Sequence, residues 1–179
     1  LKSWQAGPPV FAEKPGWVTE VVPNHRGHFW APEIIRLSDR FLLYYSVSSW
    51  GRNESAIALA TTPTLTPDQG GGTWTDEGIV VRSHTTNDFN AIDPSVLRAA
   101  DGRLWLAFGS FWSGIRLVEL DSVTGKAKAP GREPLSLAAG PDLEAATLAQ
   151  HGDDYFLFVN RGLCCRGTNS TYEIRLGRS

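Results

Sequence analysis

Several things are scarce in this sequence, and each shortage removes a class of protein. Only two of its 179 residues are cysteines, Cys164 and Cys165, and they are adjacent. Neighbouring residues cannot staple distant segments, so no disulfide framework holds this fold. The pair either closes a strained ring with itself or stays reduced, and the sequence leaves both open. No His/Cys/Asp spacing resembles a zinc site, because adjacent cysteines lack the usual two-residue gap. An excess of one charge is missing too: 17 Lys and Arg face 19 Asp and Glu, a formal net charge of -2. Nucleic acid calls for a basic surface and is not an expected partner. No apolar run approaches the roughly 18 residues a spanning helix needs, so no membrane segment is expected. Leu1 to Gln5 have neither a charged nor an apolar leader region, so no signal peptide is read here. Methionine is absent even at position 1, which suggests a piece of a longer chain. Gly70-Gly71-Gly72 lacks the Lys-Ser or Lys-Thr that would follow it in a phosphate loop.

What is abundant points one way. Eighteen Gly, 11 Pro, 7 Trp and 8 Phe describe an all-β chain with many turns. Three segments repeat: Trp30-Ala31-Pro32-Glu33-Ile34-Ile35, Ile92-Asp93-Pro94-Ser95-Val96-Leu97 and Leu143-Glu144-Ala145-Ala146-Thr147-Leu148. Each leads through a polar turn into an apolar strand (Phe41 to Val47, Leu104 to Phe108, Tyr155 to Val159) and then a further strand. A fourth strand is legible from Trp74 to Val81 after the three glycines, and Trp4 to Phe11 resembles it. Four short strands recurring at about 50 to 60 residues predict a β-propeller. Phe41 to Tyr45 is apolar on both faces, as a strand between stacked blades must be. The expected organisation is one partial propeller domain over 1–179. Residues 1–11 would be the outer strand of a preceding blade, 29–83 and 90–138 complete blades, and 143–179 a partial one. Such a set leaves open edges, to be covered by self-association or by further chain.

The innermost strand of each blade lines the central channel, and the repeat puts Glu33, Asp93 and Glu144 near three such strand starts. Asp93 and Glu144 fall in nearly equivalent slots. Acids converging from adjacent blades suit glycoside hydrolysis, in which one carboxylic acid protonates the leaving oxygen and one carboxylate activates water or attacks. A bland role for Asp93, capping the turn before Pro94, is the alternative on that dipeptide alone.

The surrounding segments carry a more specific signal. Phe29-Trp30-Ala31-Pro32, Asn90-Ala91-Ile92-Asp93-Pro94, Ser110-Phe111-Trp112-Ser113-Gly114 and Cys164-Cys165-Arg166-Gly167 together resemble glycoside hydrolase family 43, most of all its endo-1,5-α-L-arabinanase branch. The resemblance runs along essentially the whole chain, truncated at both ends. It implies a five-bladed propeller, secreted, hydrolysing α-1,5-linked arabinan with inversion by three acids. Glu144 matches the general acid, and Asp93 the aspartate that orients it and tunes its pKa. No residue here matches the general base, which belongs to the preceding blade. Ala145-Ala146 stands where the resemblance leads one to expect Gly-Pro or Ala-Pro. No cofactor is required by this sequence; the resemblance admits a channel ion, often calcium, beside a histidine of later blades. Other branches, α-L-arabinofuranosidase and β-xylosidase, share the carboxylates but would not be expected to show the Cys-Cys-Arg-Gly segment. An inactive carbohydrate-binding fragment is the reading from another class, since loss of one essential group removes rate but can leave binding.

Phe29, Trp30 and Trp112, with Phe111, sit next to the channel strands, where rings can stack on a furanose. Asn90, Ala91, Ser110 and Ser113 complete the expected sugar contacts, and Arg166 reads as a fork donor to a carboxylate or sugar, with a surface charge after a turn as the alternative. Trp4 and Trp74 are expected to pack in outer strands. His25, His28, His84 and His151 read as loop residues.

Overall fold

Three antiparallel sheets follow one another along the chain in the computed structural model, which describes residues 3–4, 6–66 and 73–179. The first contains β1 (Phe29–Leu37), β2 (Arg40–Val47), β3 (Ser55–Thr62) and β4 (Thr75–Ser83), in that spatial order. The second contains β5 (Ser95–Arg98), β6 (Leu104–Phe108), β7 (Gly114–Leu120) and β8 (Leu135–Ala139), also in sequence order. The third has β9 (Leu143–His151), β10 (Asp154–Arg161) and β11 (Glu173–Arg178), with β10 in the middle. Besides strands, the described residues hold the five-residue helix α1 (Trp17–Val21) and a 3₁₀ turn at Gly167–Asn169. Gly70-Gly71-Gly72 lie outside the described residues.

Burial on both faces explains why the central strands do not alternate with polar residues. All eight residues of β3 are buried. Ile57 and Leu59 point to one side and join Leu42 and Tyr44 of β2 in a core shared with Leu104, Leu106 and Phe108 of the second sheet. Ala56, Ala58 and Ala60 point to the other side, with Tyr45 and Val47, toward Val18, Val21 and Val22. The second sheet repeats the arrangement: Ala107 and Ile115 on its far face meet Ala146 and Val159 of the third. Each fully buried Ile, Leu or Phe contributes roughly 1.5–3 kcal/mol. Face-to-face stacking of consecutive four-stranded sheets is the propeller plan.

The strand expected over 1–11 does not form in its described part, residues 3–4 and 6–11. Pro8 and Pro9 are adjacent and supply no N–H to a ladder. Trp4, expected to pack, is 85% exposed. Instead Val10, Phe11 and α1 lie over the outer face of the first sheet, where Trp74 packs as expected.

Candidate active site

Three strand starts share one backbone device. Ala31, Asp93 and Ala145 all have positive φ, at 46°, 57° and 50°. These residues are therefore the equivalent positions of the three repeats, each a left-handed kink just inside or just before the innermost strand. Asp93 is at the kink itself, a place an aspartate tolerates better than most side chains. Glu144 sits one residue earlier, aligned with Ile92 and Trp30. The sequence reading that gave Asp93 and Glu144 nearly the same slot is thus out by one residue, and the difference aims the two carboxyls from different positions at one place.

Hydrogen bonds between repeats hold that geometry. The N–H of Asp93 donates to Ser46 Oγ at 3.0 Å, and that serine is fully buried in β2. The N–H of Ala145, the matching kink residue, donates to Asp93 Oδ2 at 3.2 Å. Three residues on, the N–H of Val96 donates to Glu33 Oε1 at 3.0 Å and the matching N–H of Leu148 to Ser95 Oγ at 3.1 Å. Glu33 is therefore a strut between the first and second sheets, and its partial burial raises its pKa. Asn53 donates to the carbonyls of His84, Asn87 and Phe89, which fastens the loop leading to Asp93.

Asp93 and Glu144 face a single cleft of about 780 Å³. Trp30, Asn90, Ser110, Trp112 and Arg166 also line it. Burial, then repulsion from Glu144, pushes the Asp93 carboxyl up to about 6, against the lowering effect of the Ala145 N–H. Ser110 Oγ donates to Glu144 Oε2 at 2.8 Å, while the other oxygen, Oε1, is buried without a partner. Asn90 Oδ1 and Ser49 Oγ are buried and unpartnered as well, and both line the same cleft. Three of the five such atoms among the described residues thus converge here, where hydroxyls of a bound sugar would satisfy them. Phe111 and Trp112 both have positive φ, 59° and 48°, and this loop leaves Trp112 38% exposed over the cleft. Gly109 just before it admits no side chain, since a Cβ there would lie 2.3 Å from the Gly114 carbonyl oxygen.

Three expected sugar contacts lie elsewhere. Phe29 stacks edge-on against Phe11 and Tyr45, because residues before β1 fold over the sheet instead of leaving its ring free. Ala91 is fully buried in the core, with its N–H donated to Ser83 Oγ. Ser113 Oγ accepts from Arg116, which also pairs with Asp88 at 2.6 Å, so that hydroxyl is spent on holding the loop. Arg166 makes no ion pair with a carboxylate among the described residues and faces the cleft instead. The sequence reading missed the Ser48-Ser49-Trp50-Gly51 loop, part of the same wall. Its place after β2 matches that of Ser110-Phe111-Trp112 after β6, so the repeat held the signal. Cys164 and Cys165 are joined to each other, and Cys164 lines the cleft. Among the described residues no three His, Cys, Asp or Glu side chains gather where they could hold a metal ion.

The profile of glycosyl hydrolases family 43 matches residues 1–179. The chain belongs to that family. An extracellular endo-α-(1→5)-L-arabinanase of Bacillus subtilis is 44% identical over 182 residues, covering 99% of this chain and 54% of the relative. An extracellular exo-α-(1→5)-L-arabinofuranosidase of Cellvibrio japonicus is 38% identical, covering 99% and 55%. The solved α-L-arabinanase of Cellvibrio cellulosa in complex with arabinohexaose superposes with a TM-score of 0.88 at 38% identity, covering 95% of this chain and 58% of that one. The family 43 chain thus spans about half the length of the curated relatives it matches. The solved arabinanases on which it superposes are five-bladed propellers, and its own all-β fold supplies a part of that ring.

Proposed function

We propose that the protein carrying this chain is a secreted glycosidase that cleaves α-1,5-linked L-arabinan by single displacement, with inversion. The observation that carries the reading is the pairing of Asp93 and Glu144, supplied by consecutive repeats, in one sugar-sized cleft. Glu144 protonates the departing glycosidic oxygen through Oε1, the oxygen left without a partner. Ser110 holds Oε2 and so sets the direction of Oε1. Asp93 accepts the Ala145 N–H and so anchors the backbone beside Glu144, which positions the acid. A base from outside residues 1–179 activates the attacking water, because no residue here matches that acid. Trp30 and Trp112 stack on furanose rings, while Asn90 and Arg166 bond their hydroxyls. The blades run over 29–83, 90–138 and 143–179, and the exposed face of the last receives the next blade of the longer protein. The extracellular names of both relatives support secretion.

Release of reducing sugar from debranched arabinan by the full-length protein tests the assignment, and no release would remove it. The arabinofuranosidase relative favours a second reading, exo cleavage. Accumulation of mixed oligosaccharides supports endo action, and release of monomers or a single short product supports exo action.

A further inference from the structure

The loop between β6 and β7 carries Trp112 over the cleft in a conformation that its own residues do not favour. Phe111 and Trp112 are consecutive left-handed positions, with φ of 59° and 48°. Bulky side chains stay there only where the surroundings hold them. Two anchors do so, one on each side of the tip. Before it, the N–H of Phe111 donates to the Leu143 carbonyl at 2.8 Å, and Ser110 pairs with Glu144 of the third sheet. After it, the N–H of Ser113 donates to the Asp88 carbonyl at 2.9 Å, and Ser113 Oγ accepts from Arg116 Nη2 at 2.8 Å. The same nitrogen donates to Asp88 Oδ2 at 2.6 Å, and the guanidinium stands 5.7 Å from the centre of the Phe89 ring. One side chain thus ties the Trp112 loop to the loop that leads to Asn90 and Asp93. Stability is a poor account of it. Arg116 is buried with its Nε unpartnered, while the Asp88 carboxylate is 65% exposed. A buried cation with an unmet donor costs free energy that an apolar side chain of similar size would not. The second sheet, to which Arg116 belongs, packs on the first by one face and on the third by the other.

We infer that Arg116 is a positioning residue for sugar binding, acting through Ser113 to hold the Trp112 indole where it meets a furanose ring. The inference rests on the arabinan reading of the cleft. The division between the two anchors sets its kinetic signature. Ser110 and Glu144 are fastened to the third sheet and keep their geometry without Arg116, so proton donation survives its loss. Trp112 loses the anchor that follows it, so binding of the ring weakens and KM rises.

The test is a double-mutant cycle in the full-length protein: wild type, Arg116→Met, Trp112→Ala and the two together. Methionine keeps an apolar stem against Phe89 and removes the donors. KM and kcat are measured on debranched arabinan, and thermal melts check that each variant is folded. Arg116→Met should raise KM about tenfold and lower kcat by no more than about threefold. In the Trp112→Ala background the same change should move KM by less than about twofold, because the side chain it positions is gone. Arg116→Lys, which keeps a charge and donors, should recover part of the loss. Ser113→Ala removes only a hydroxyl and gives a second cycle of the same sign, which decides the matter should Arg116→Met not fold. An unchanged KM, or an equal rise in both Trp112 backgrounds, overturns the inference, and so does a loss that falls mainly on kcat. A wild type that does not cleave arabinan removes the arabinan reading and the inference with it, whereas those outcomes in an active enzyme strike the inference alone.

Discussion

The starts of β5 and β9 are built alike and do different things. Both have a left-handed kink, at Asp93 and Ala145, and in both the kinked N–H donates to a side chain of the preceding repeat. At β5 the carboxyl sits on the kink and is tied to the backbone of the next repeat. At β9 it sits one residue earlier, held by a single hydroxyl, with one oxygen bare. The start of β1 shares the kink at Ala31 but has no carboxylate beside it, only Glu33 two residues on, spent as a strut. A shared scaffold thus yields a fixed acid and a free one, and in the mechanism proposed above that single-residue offset separates the positioning role from the proton-donating one.

Substitutions at the two starts should break this comparison in order of size. Glu144→Gln in the full-length protein is expected to lower kcat on arabinan about 100-fold or more, with KM for arabinan little changed, as measured by reducing-sugar release. Asp93→Asn comes next, because asparagine also tolerates the left-handed kink and its side-chain oxygen still accepts from Ala145. Activity should fall about tenfold or more. Stability should move the other way. The Asp93 carboxyl is raised from 3.8 to about 6 by burial and by Glu144, so it favours the folded state most below about 3.8. That contribution is lost as pH rises through about 6. The wild type should therefore lose roughly 1–2 kcal/mol across this window, reduced by the water at the cleft mouth, and Asp93→Asn should not. Thermal melts from pH 3.5 to 7.5 check both statements, and a wild type that gains stability across the window contradicts them.

Ser110→Ala sharpens the comparison by loosening the free acid without removing it. The loss of one hydrogen bond, about 0.5–2 kcal/mol, should lower kcat about two- to thirtyfold. A change in KM without one in kcat would show that the hydroxyl serves the sugar instead. Glu33→Gln should do least. An amide oxygen still accepts from Val96, so activity should stay within about twofold and stability within about 1 kcal/mol. A large loss of activity would make Glu33 more than a strut.

Much of the architecture was legible because the repeat imposes a period that survives sequence drift. The apolar, non-alternating β2 told of burial on two faces, and Ile57 against Ala58 shows those faces resolved. Residues 3–4 and 6–11 form no strand although Trp4, Gly7 and the apolar residues after them copy a strand pattern, because Pro8-Pro9 deny it the donors. Asn90, Asp93, Ser110, Trp112 and Glu144 do line one cleft, yet the one-residue offset needs backbone angles that no single sequence displays. Phe29, Ala91 and Ser113 failed for a common reason: nearness in sequence to a channel strand does not fix which face a side chain takes.

The most direct test asks whether Glu144 is a proton donor and nothing else. Glu144→Gln is assayed on arabinan and on a dinitrophenyl arabino-oligosaccharide, whose leaving group departs without a proton. The account predicts a loss of about 100-fold or more on arabinan and near wild-type cleavage of the activated glycoside. Equal losses on the two substrates, or full activity on arabinan, would contradict it.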